Sequence, residues 1–582
     1  MTATYGRLVY RELPVTGERL WGMRAVPHVM IRAKRIFPRA RANHAGQIVV
    51  ADTTDVAADL EWFTARYPLD MDDDTAARLA VQAGAYRARH EAVDDILAGR
   101  ATLDLAMEPA RTPREYQLVA AAMARTSRRL LIADDVGLGK TTEAALLLAE
   151  ADALPALVVC QTHLPSQWVR ELAATWPLLV THSATKARPY DLTAGFRGGR
   201  GRARIPAGVT PDVVVMGYSK LAGWGHALVG QVRTVIFDEV QELRHGLDTE
   251  KGVAARLVAD QADYVLGLSA SPVYNYGSEV HNIFEIMAPE ALGTREEFVR
   301  EWGAGAAGSS GQTKVGDPAA LGTFLRDQGL MLRRTRADVH RELPEPIRIR
   351  QEVRSDPEAL ERVRGDVAAM ARLILDPATD RKQAFALSGE IDWKLRQATG
   401  IAKAPYVAEF VRMLLDSEEK VVLAGWHRAT YELWLDALAE FGPRLYTGSE
   451  SPTQKEAAKD AFVDGDCRVL MLSLRSGVGL DGLQKAASVV VFGELDWSPA
   501  VHDQVIGRLA RDGQASTVAA YFLVCDDGSD PVMDEVLELK HQQAEPIRNP
   551  DLPLVTPLPD TGDRIKRLAR AVLDGPNQRA LL

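Results

Sequence analysis

The segment Arg129-Leu-Leu-Ile-Ala-Asp-Asp-Val-Gly-Leu-Gly-Lys-Thr-Thr-Glu-Ala144 changes character twice within sixteen residues. After Arg129, the four residues Leu130 to Ala133 are apolar and suit a buried strand. Gly137, Leu138 and Gly139 then make a tight turn, and a helix is expected to begin near Thr141. A strand, a glycine turn and a helix in that order make an anion-binding arrangement. The glycines let backbone N–H groups turn inward onto phosphate oxygens, and the helix amino terminus adds a favourable dipole. Lys140 can neutralise β- and γ-phosphate charge, and the Thr141 hydroxyl can ligate Mg²⁺. Asp134 stands where the first glycine of the full phosphate-loop pattern would fall, so the spacing here is tighter than usual.

On either side of this segment the chain alternates short β-branched runs with helical stretches. RLLIA (129–133), ALVVC (156–160), DVVVM (212–216), TVIFDE (234–239) and YVLGLSA (264–270) read as strands of a buried parallel sheet, which places a first lobe at residues 105–344. KVVLAGW (420–426), RLYTG (444–448), RVLMLS (468–473), SVVVFGE (488–494) and AAYFLV (519–524) repeat the pattern. They place a second lobe, preceded by a helical bridge over 357–415, at residues 345–545. The fold class is therefore α/β with two parallel-sheet lobes. Residues 1–104 carry no phosphate signal and read as a small α/β accessory domain, with a strand at Ile48–Ala51 and a helix bearing Leu60, Trp62, Phe63 and Tyr67. Residues 546–582 read as a tail. GAGAAGSSG (303–311) is too small-sided to pack and is expected to be a mobile loop.

The 582 residues exceed one core and suit three or four units of about 150 residues each. With 46% hydrophobic and 25% charged residues, the composition is that of a globular protein. No apolar run of about 18 residues could span a bilayer, and the amino terminus lacks a signal-peptide core. A cytoplasmic protein with no membrane partner is expected, and the richness in Ala, Val and Arg suggests a high-GC bacterium or a virus infecting one. The three cysteines, Cys160, Cys467 and Cys525, each sit in or beside apolar runs and read as buried thiols, with neither a disulfide framework nor a four-ligand zinc site. A net charge of -10 excludes a general polycation, so any polyanion must meet a local basic surface. Arg32–Arg41 and Arg197–Arg204 are the two places to look; the alternative for each is a solvated charged loop.

The strand TVIF ends in Asp238-Glu239-Val240-Gln241. Two adjacent carboxylates at a strand's carboxyl end divide the work of hydrolysis: Asp238 holds Mg²⁺, directly or through water, and Glu239 polarises the attacking water. Such a pair is common by itself. Beside a phosphate loop on one α/β sheet, it points to nucleotide hydrolysis.

The segments DDVGLGKT, DEVQ, Ser269-Ala-Ser271-Pro272, MLRRTRADVHRELP (331–344) and Gln504-Val-Ile-Gly-Arg508-Leu-Ala-Arg511-Asp-Gly-Gln514 resemble, in order, the helicase motifs of SNF2-type ATPases over residues 105–545. The resemblance implies two RecA-like lobes of the P-loop NTPase kind and a DNA-dependent ATPase using ATP and Mg²⁺ on double-stranded or forked DNA. It further implies that Gln117, in REYQ, reads adenine. Ser269 and Ser271 would couple hydrolysis to motion, and the segment from Arg475 to Leu483 would touch DNA and nucleotide. Gln504, Arg508 and Arg511, spaced i, i+4 and i+7, are expected on one helix face, with Arg508 and Arg511 as arginine fingers and Gln504 at the nucleotide. This chain departs from the family pattern at Ser476, Asp481 and Gln241, where glycine, asparagine and histidine are more usual.

For DNA tracking the expected residues are Thr162 and Ser166 in the segment Gln161 to Trp168 (QTHLPSQW), Tyr218 and Ser219 after DVVVMG, His427 and Arg428 after VVLAGW, and Arg475. All follow strands on what would be a cleft-facing side. Trp168 and Tyr218 could equally be core aromatics. The amino-terminal module resembles the HepA-related accessory domain of annealing helicases, and the compact second lobe with LRQATGIAKAPYVAEF (395–410) is similar to that fork-remodelling subgroup. The expected activity is translocation along duplex DNA by a monomer, with a replication, repair or transcription protein as partner. An RNA-polymerase-recycling ATPase and a nucleotide-gated DNA-binding scaffold of a defence or repair complex are the alternatives.

Overall fold

The computed structural model describes residues 4–13, 17, 19–37, 39–42, 47–101, 104–162, 164–195, 205–270, 278–289, 291–303, 315–336, 338–339, 345–376, 379–474, 480, 482–511, 513–537, 569–570 and 573. Residues 197–204 and 304–311, Ser271, Arg475, Ser476, Asp481 and nearly all of the tail lie outside this set. The chain divides into two compact units. One holds the residues up to Asp134 together with Gly139–Arg333, and the other holds Asp135–Leu138 together with Arg334–Glu545.

The first unit contains a seven-stranded, wholly parallel sheet in the spatial order Met331–Leu332, Arg129–Ile132, Tyr264–Leu268, Thr234–Asp238, Ala156–Cys160, Val213–Gly217, Thr181–Ser183. Three of its inner runs, Ala156–Cys160, Val213–Gly217 and Tyr264–Leu268, are buried at every position, as strands covered on both faces must be. Because the strands are parallel, all their carboxyl ends lie along one edge of the sheet. Residues far apart in sequence, such as Ala133, Gln161, Tyr218, Asp238 and Ser269, therefore meet at that edge.

The accessory module belongs to this unit. It is an antiparallel four-stranded sheet, ordered Gly6–Glu12, Arg19–Ala25, Ile48–Ala51, Arg41–Ala42, with helices Pro27–Ile36, Thr54–Arg66 and Asp73–Leu97. Trp21, Met23, Ile48, Leu60 and Phe63 form its core. The structure divides the basic run: Arg32, Lys34 and Arg35 are exposed on their helix, whereas Arg39 and Arg41 pair with Glu301 at 2.8 Å and Glu297 at 3.0 Å on helix Arg295–Trp302. Gln328 donates to the Tyr86 hydroxyl at 3.0 Å, and a Cβ at Gly329 would meet the Val93 side chain at 3.2 Å, so the module is seated closely against the larger sheet's helices.

The second unit holds a six-stranded parallel sheet in the order Ile347–Glu352, Ala519–Val524, Val489–Phe492, Val421–Gly425, Val469–Ser473, Arg444–Tyr446. The bridge is two helices, Pro357–Leu375 and Arg381–Leu414, the second running through Pro405. Ala404, Val407, Ala408 and Val411 of that helix pack on Val421, Leu423, Val489, Val491 and Trp434. The Trp434 indole lies directly against the backbone of two strand ends: a Cβ at Gly425 would meet it at 2.6 Å and one at Gly493 at 2.5 Å, so only glycine fits either position. Lys403 is buried in this unit and donates to Asp530 Oδ2 at 2.6 Å and to the Leu523 carbonyl at 2.7 Å. All three cysteines are buried free thiols. No helix among the described residues is long and apolar enough to cross a membrane.

Candidate active site

The strand Arg129–Ile132 passes into the glycine turn, where Gly137 and Gly139 adopt φ of 90° and 87°. A Cβ is strained in that left-handed region, and glycine is not. The helix begins at Lys140, one residue before the expected start, with Gly139 as its N-cap. Gln117 lies beside this turn: a Cβ at Gly139 would meet its Nε2 at 2.7 Å, while its Oε1 accepts the Arg114 N–H at 3.0 Å as part of a capping box. The fold thus brings the residue expected to read adenine next to the phosphate turn.

Lys140 Nζ donates to the Asp134 carbonyl at 2.7 Å. Burial holds its pKa below the ordinary lysine value, opposed by the negative charge of Glu143, Asp134 and Glu239. Asp238 ends its strand, and its carboxyl is pushed up to about 7, first by lost hydration and then by the charge of Glu239; the Trp168 hydrogen bond and Lys140 pull the other way. Glu239 has φ 51° and ψ 57°, a left-handed conformation shared among the described non-glycine residues only with Arg128 in its positive φ. Buried Gln241 donates from Nε2 to Glu239 Oε2, so the residue that replaces the usual histidine orients the second carboxylate. Ser269 is buried at the neighbouring strand end, with its N–H on the Ile132 carbonyl at 3.1 Å. Half-buried Thr141 follows Lys140 in the first helical turn.

A nucleotide with a divalent cation fits these residues. Two adjacent carboxylates, one of them forced up by burial and then by the other's charge, are what a cation relieves. Among the described residues no group of three His, Cys, Asp or Glu could hold a metal alone. A cation at Asp238 and Thr141 would therefore complete its shell with phosphate oxygens and water, as Mg²⁺ does.

The strand-end loops were expected to face DNA, and the structure sorts them by burial. Thr162 and Ser166 are exposed, Ser166 in the first turn of helix Pro165–Thr175. Tyr218 is 5% exposed, and its hydroxyl donates to the Asp238 carbonyl at 2.9 Å, so its ring belongs to the core while Ser219 beside it is exposed. Trp168 is 2% exposed and donates from Nε1 to Asp238 Oδ2 at 2.7 Å. In the second unit His427 is also buried. Glu494 accepts the N–H groups of Trp426 and His427 at 2.7 and 2.9 Å and meets His427 Nδ1 at 2.6 Å, while Arg428 is exposed and paired with Glu432. Gln504 and Arg508 lie on helix Pro499–Leu509. That helix ends before Arg511, so the expected common helix face for all three is corrected: Ala510 leaves helical geometry with ψ 73°, and a loop carries Arg511. Gln514 holds this loop by donating to the carbonyls of Ala487 and Leu509 at 2.8 and 3.2 Å. Ser271 and Arg475 lie outside the described residues.

Two connections escaped the sequence reading. Nothing in sequence ties Trp168 to Asp238, seventy positions away. Glu494 could have been found, because it is a carboxylate just past an apolar strand, the same signal that marked Asp238.

The SNF2-related domain family model matches residues 59–361, just over half of the chain, and the helicase conserved C-terminal domain matches residues 403–513. The chain belongs to the SNF2-related family. It is 26% identical over 435 residues to the mouse DNA annealing helicase and endonuclease ZRANB3, covering 72% of this chain and 39% of that protein. It is 27% identical over 437 residues to the Caenorhabditis elegans homolog of SWI/SNF-related matrix-associated actin-dependent regulator of chromatin subfamily A-like protein 1, covering 71% and 58%. The chain thus spans less than two thirds of these relatives' length. The solved Sulfolobus solfataricus SWI2/SNF2 ATPase core in complex with dsDNA matches with 18% identity and a TM-score of 0.36, covering 78% of this chain and 96% of that one.

Proposed function

We propose that this protein is an ATP-dependent motor that moves along double-stranded DNA and remodels forked or annealing DNA without obligatory strand separation. The observation that carries the reading is the meeting, at one sheet edge, of the glycine turn with Lys140 and the Asp238–Glu239 pair, in a chain of the SNF2-related family. In this reading Gly137, Leu138, Gly139 and Lys140 hold the phosphates, Gln117 and Gln504 contact the nucleotide, and Thr141 and Asp238 hold Mg²⁺. When bound, ATP with Mg²⁺ supplies the phosphoanhydride to be cleaved and the cation that screens its charge. Glu239, aimed by Gln241, orients water and accepts its proton, while Arg508 and Arg511 meet charge developing on the γ-phosphate. Ser269 and Ser271 relay hydrolysis to motion. Thr162, Ser166, Arg428 and Arg475 grip the phosphate backbone, and Tyr218 and His427 position the loops that carry those contacts.

The working domain limits are 1–104, 105–344, 345–545 and 546–582, with the accessory domain as a second DNA contact through the exposed Arg32, Lys34 and Arg35. The name of the mouse relative, a DNA annealing helicase, favours annealing over polymerase recycling. The setting we propose is the cytoplasm of a bacterial or virus-infected bacterial cell, where the protein acts as a monomer with replication, repair or transcription partners. The test is the steady-state ATPase rate with no nucleic acid, single-stranded DNA, blunt duplex, forked DNA and RNA, using Glu239→Gln as the blank. Stimulation by duplex or forked DNA is expected; stimulation by RNA alone, or none, overturns the reading.

A further inference from the structure

Two of the segments expected to touch DNA, Gln161–Trp168 and Tyr218–Ser219, converge on the same residue, Asp238. The Trp168 indole N–H reaches its carboxylate at 2.7 Å, and the Tyr218 hydroxyl reaches its carbonyl at 2.9 Å. One bond fixes the side chain and the other the backbone. Both aromatic residues are buried, so neither ring is available to a strand of DNA, yet each sits within two positions of an exposed hydroxyl: Ser166 before Trp168 and Ser219 after Tyr218. Ser166 and Trp168 share helix Pro165–Thr175. The two segments also bear on each other, since a Cβ at Gly217 would meet the Thr162 Cα at 3.2 Å. Thr162, Ser166 and Ser219 therefore ride on a packed unit whose inner side is hydrogen-bonded to the residue proposed to hold Mg²⁺.

We infer that Trp168 and Tyr218 are positioning residues, through which phosphate contacts at Thr162, Ser166 and Ser219 set the direction of the Asp238 carboxylate. Duplex binding and the cation-holding group are thereby joined within one lobe. The inference rests on the DNA-motor reading and deepens it by naming how DNA reaches the hydrolytic site. An indole has few rotamers and a single donor on a clamped ring. A small rotation of its helix therefore moves the donor, and the carboxylate it grips, as one piece. Trp168 should matter more than Tyr218, because the carboxylate can turn freely once its own donor is gone, whereas the backbone of a sheet strand stays held by its neighbours.

The experiment compares the full-length protein with Trp168→Phe, which removes the indole donor along with part of the buried ring, and Tyr218→Phe, which keeps its ring and removes only the donor. Three quantities are read for each: affinity for a fluorescent blunt duplex, affinity for a fluorescent ADP analogue with and without Mg²⁺, and the ratio of duplex-stimulated to basal ATPase. For Trp168→Phe the duplex affinity is expected to stay within about twofold of wild type. The Mg²⁺-dependent gain in ADP affinity and the stimulation ratio should each fall by about tenfold, the scale of a lost hydrogen bond to a charged group. Tyr218→Phe should follow in the same direction by a smaller factor, and it carries the test if Trp168→Phe does not fold. A wild-type Mg²⁺ response and stimulation ratio in both variants overturns the inference. If the wild-type protein binds ADP with Mg²⁺ but is not stimulated by any DNA, the motor reading fails, and the DNA link proposed here fails with it. If stimulation stands in the wild type and is unchanged in the variants, only the inference fails.

Discussion

Replacing Asp530 with asparagine should destabilise the second unit far more than replacing its partner Lys403 with methionine. The pair is sealed from water, with side-chain exposures of 1% for Lys403 and 4% for Asp530 and a separation of 2.6 Å. The Asp530→Asn change would remove the counter-charge and leave the Lys403 ammonium buried among neutral amide oxygens, the Leu523 carbonyl among them. Removing one partner of such a pair costs about 3–5 kcal/mol. In a unit of roughly 200 residues each kcal/mol shifts the midpoint by about 2–4 °C, so the transition should fall by roughly 6–20 °C. Lys403→Met leaves Asp530 still accepting the Cys525 N–H at 3.2 Å, so its cost should be about 1–3 kcal/mol. The double variant Lys403→Met/Asp530→Asn should lie closer to wild type than Asp530→Asn alone does, because no buried charge is left over. Scanning calorimetry of the full chain, completed as a double-mutant cycle, measures all three. A loss under about 1 kcal/mol for Asp530→Asn, or a double variant as unstable as the sum of the singles, would refute the reasoning.

Glu239→Gln should keep ATP affinity within a few-fold of wild type while slowing turnover on the order of 100-fold or more, measured by nucleotide binding and steady-state hydrolysis in parallel; near-normal turnover would remove Glu239 from its assigned role. Asp59, on helix Thr54–Arg66, has its carboxyl pushed up to about 6 by lost hydration, with Asp55 and Glu301 adding to the effect. A raised carboxyl contributes stability below the unfolded value near 4, and that stability is lost as pH rises through about 6. Asp59→Asn should therefore stabilise the protein at pH 8 by on the order of 1 kcal/mol, since the residue is exposed to screening, and the advantage should vanish towards pH 4. A thermal-shift series across that range decides it, and an advantage independent of pH would contradict the assignment.

The central strands were legible because a strand covered on both faces must be apolar throughout, as Val421–Gly425 and Val213–Gly217 are. Edge strands carry no such constraint. Ile347–Glu352 alternates isoleucine with arginine and has no buried residue, and Thr181–Ser183 is too short for a period to register, so neither was anticipated. The phosphate turn and the carboxylate pair were readable because each is contiguous in the chain. Residues that meet only through the sheet's topology were not, and this is why Trp168 was left between DNA contact and core. For the same reason the basic run could not be divided in advance: the choice between exposed Arg32 and ion-paired Arg39 depends on where Glu301 arrives, 262 residues later. The one-face reading of Gln504, Arg508 and Arg511 assumed a helix that continued, and spacing alone does not say where a helix stops.

The left-handed backbone at Glu239 sets what that position can tolerate. A side chain there carries a conformational penalty of about 1 kcal/mol that glycine would escape, and β-branched residues would pay the most. A search for stabilising substitutions in this protein should therefore return glycine at position 239, and a search for activity should reject it. Few other positions would set the two selections so directly against each other, and a library randomised at this codon and sorted both ways would expose the conflict.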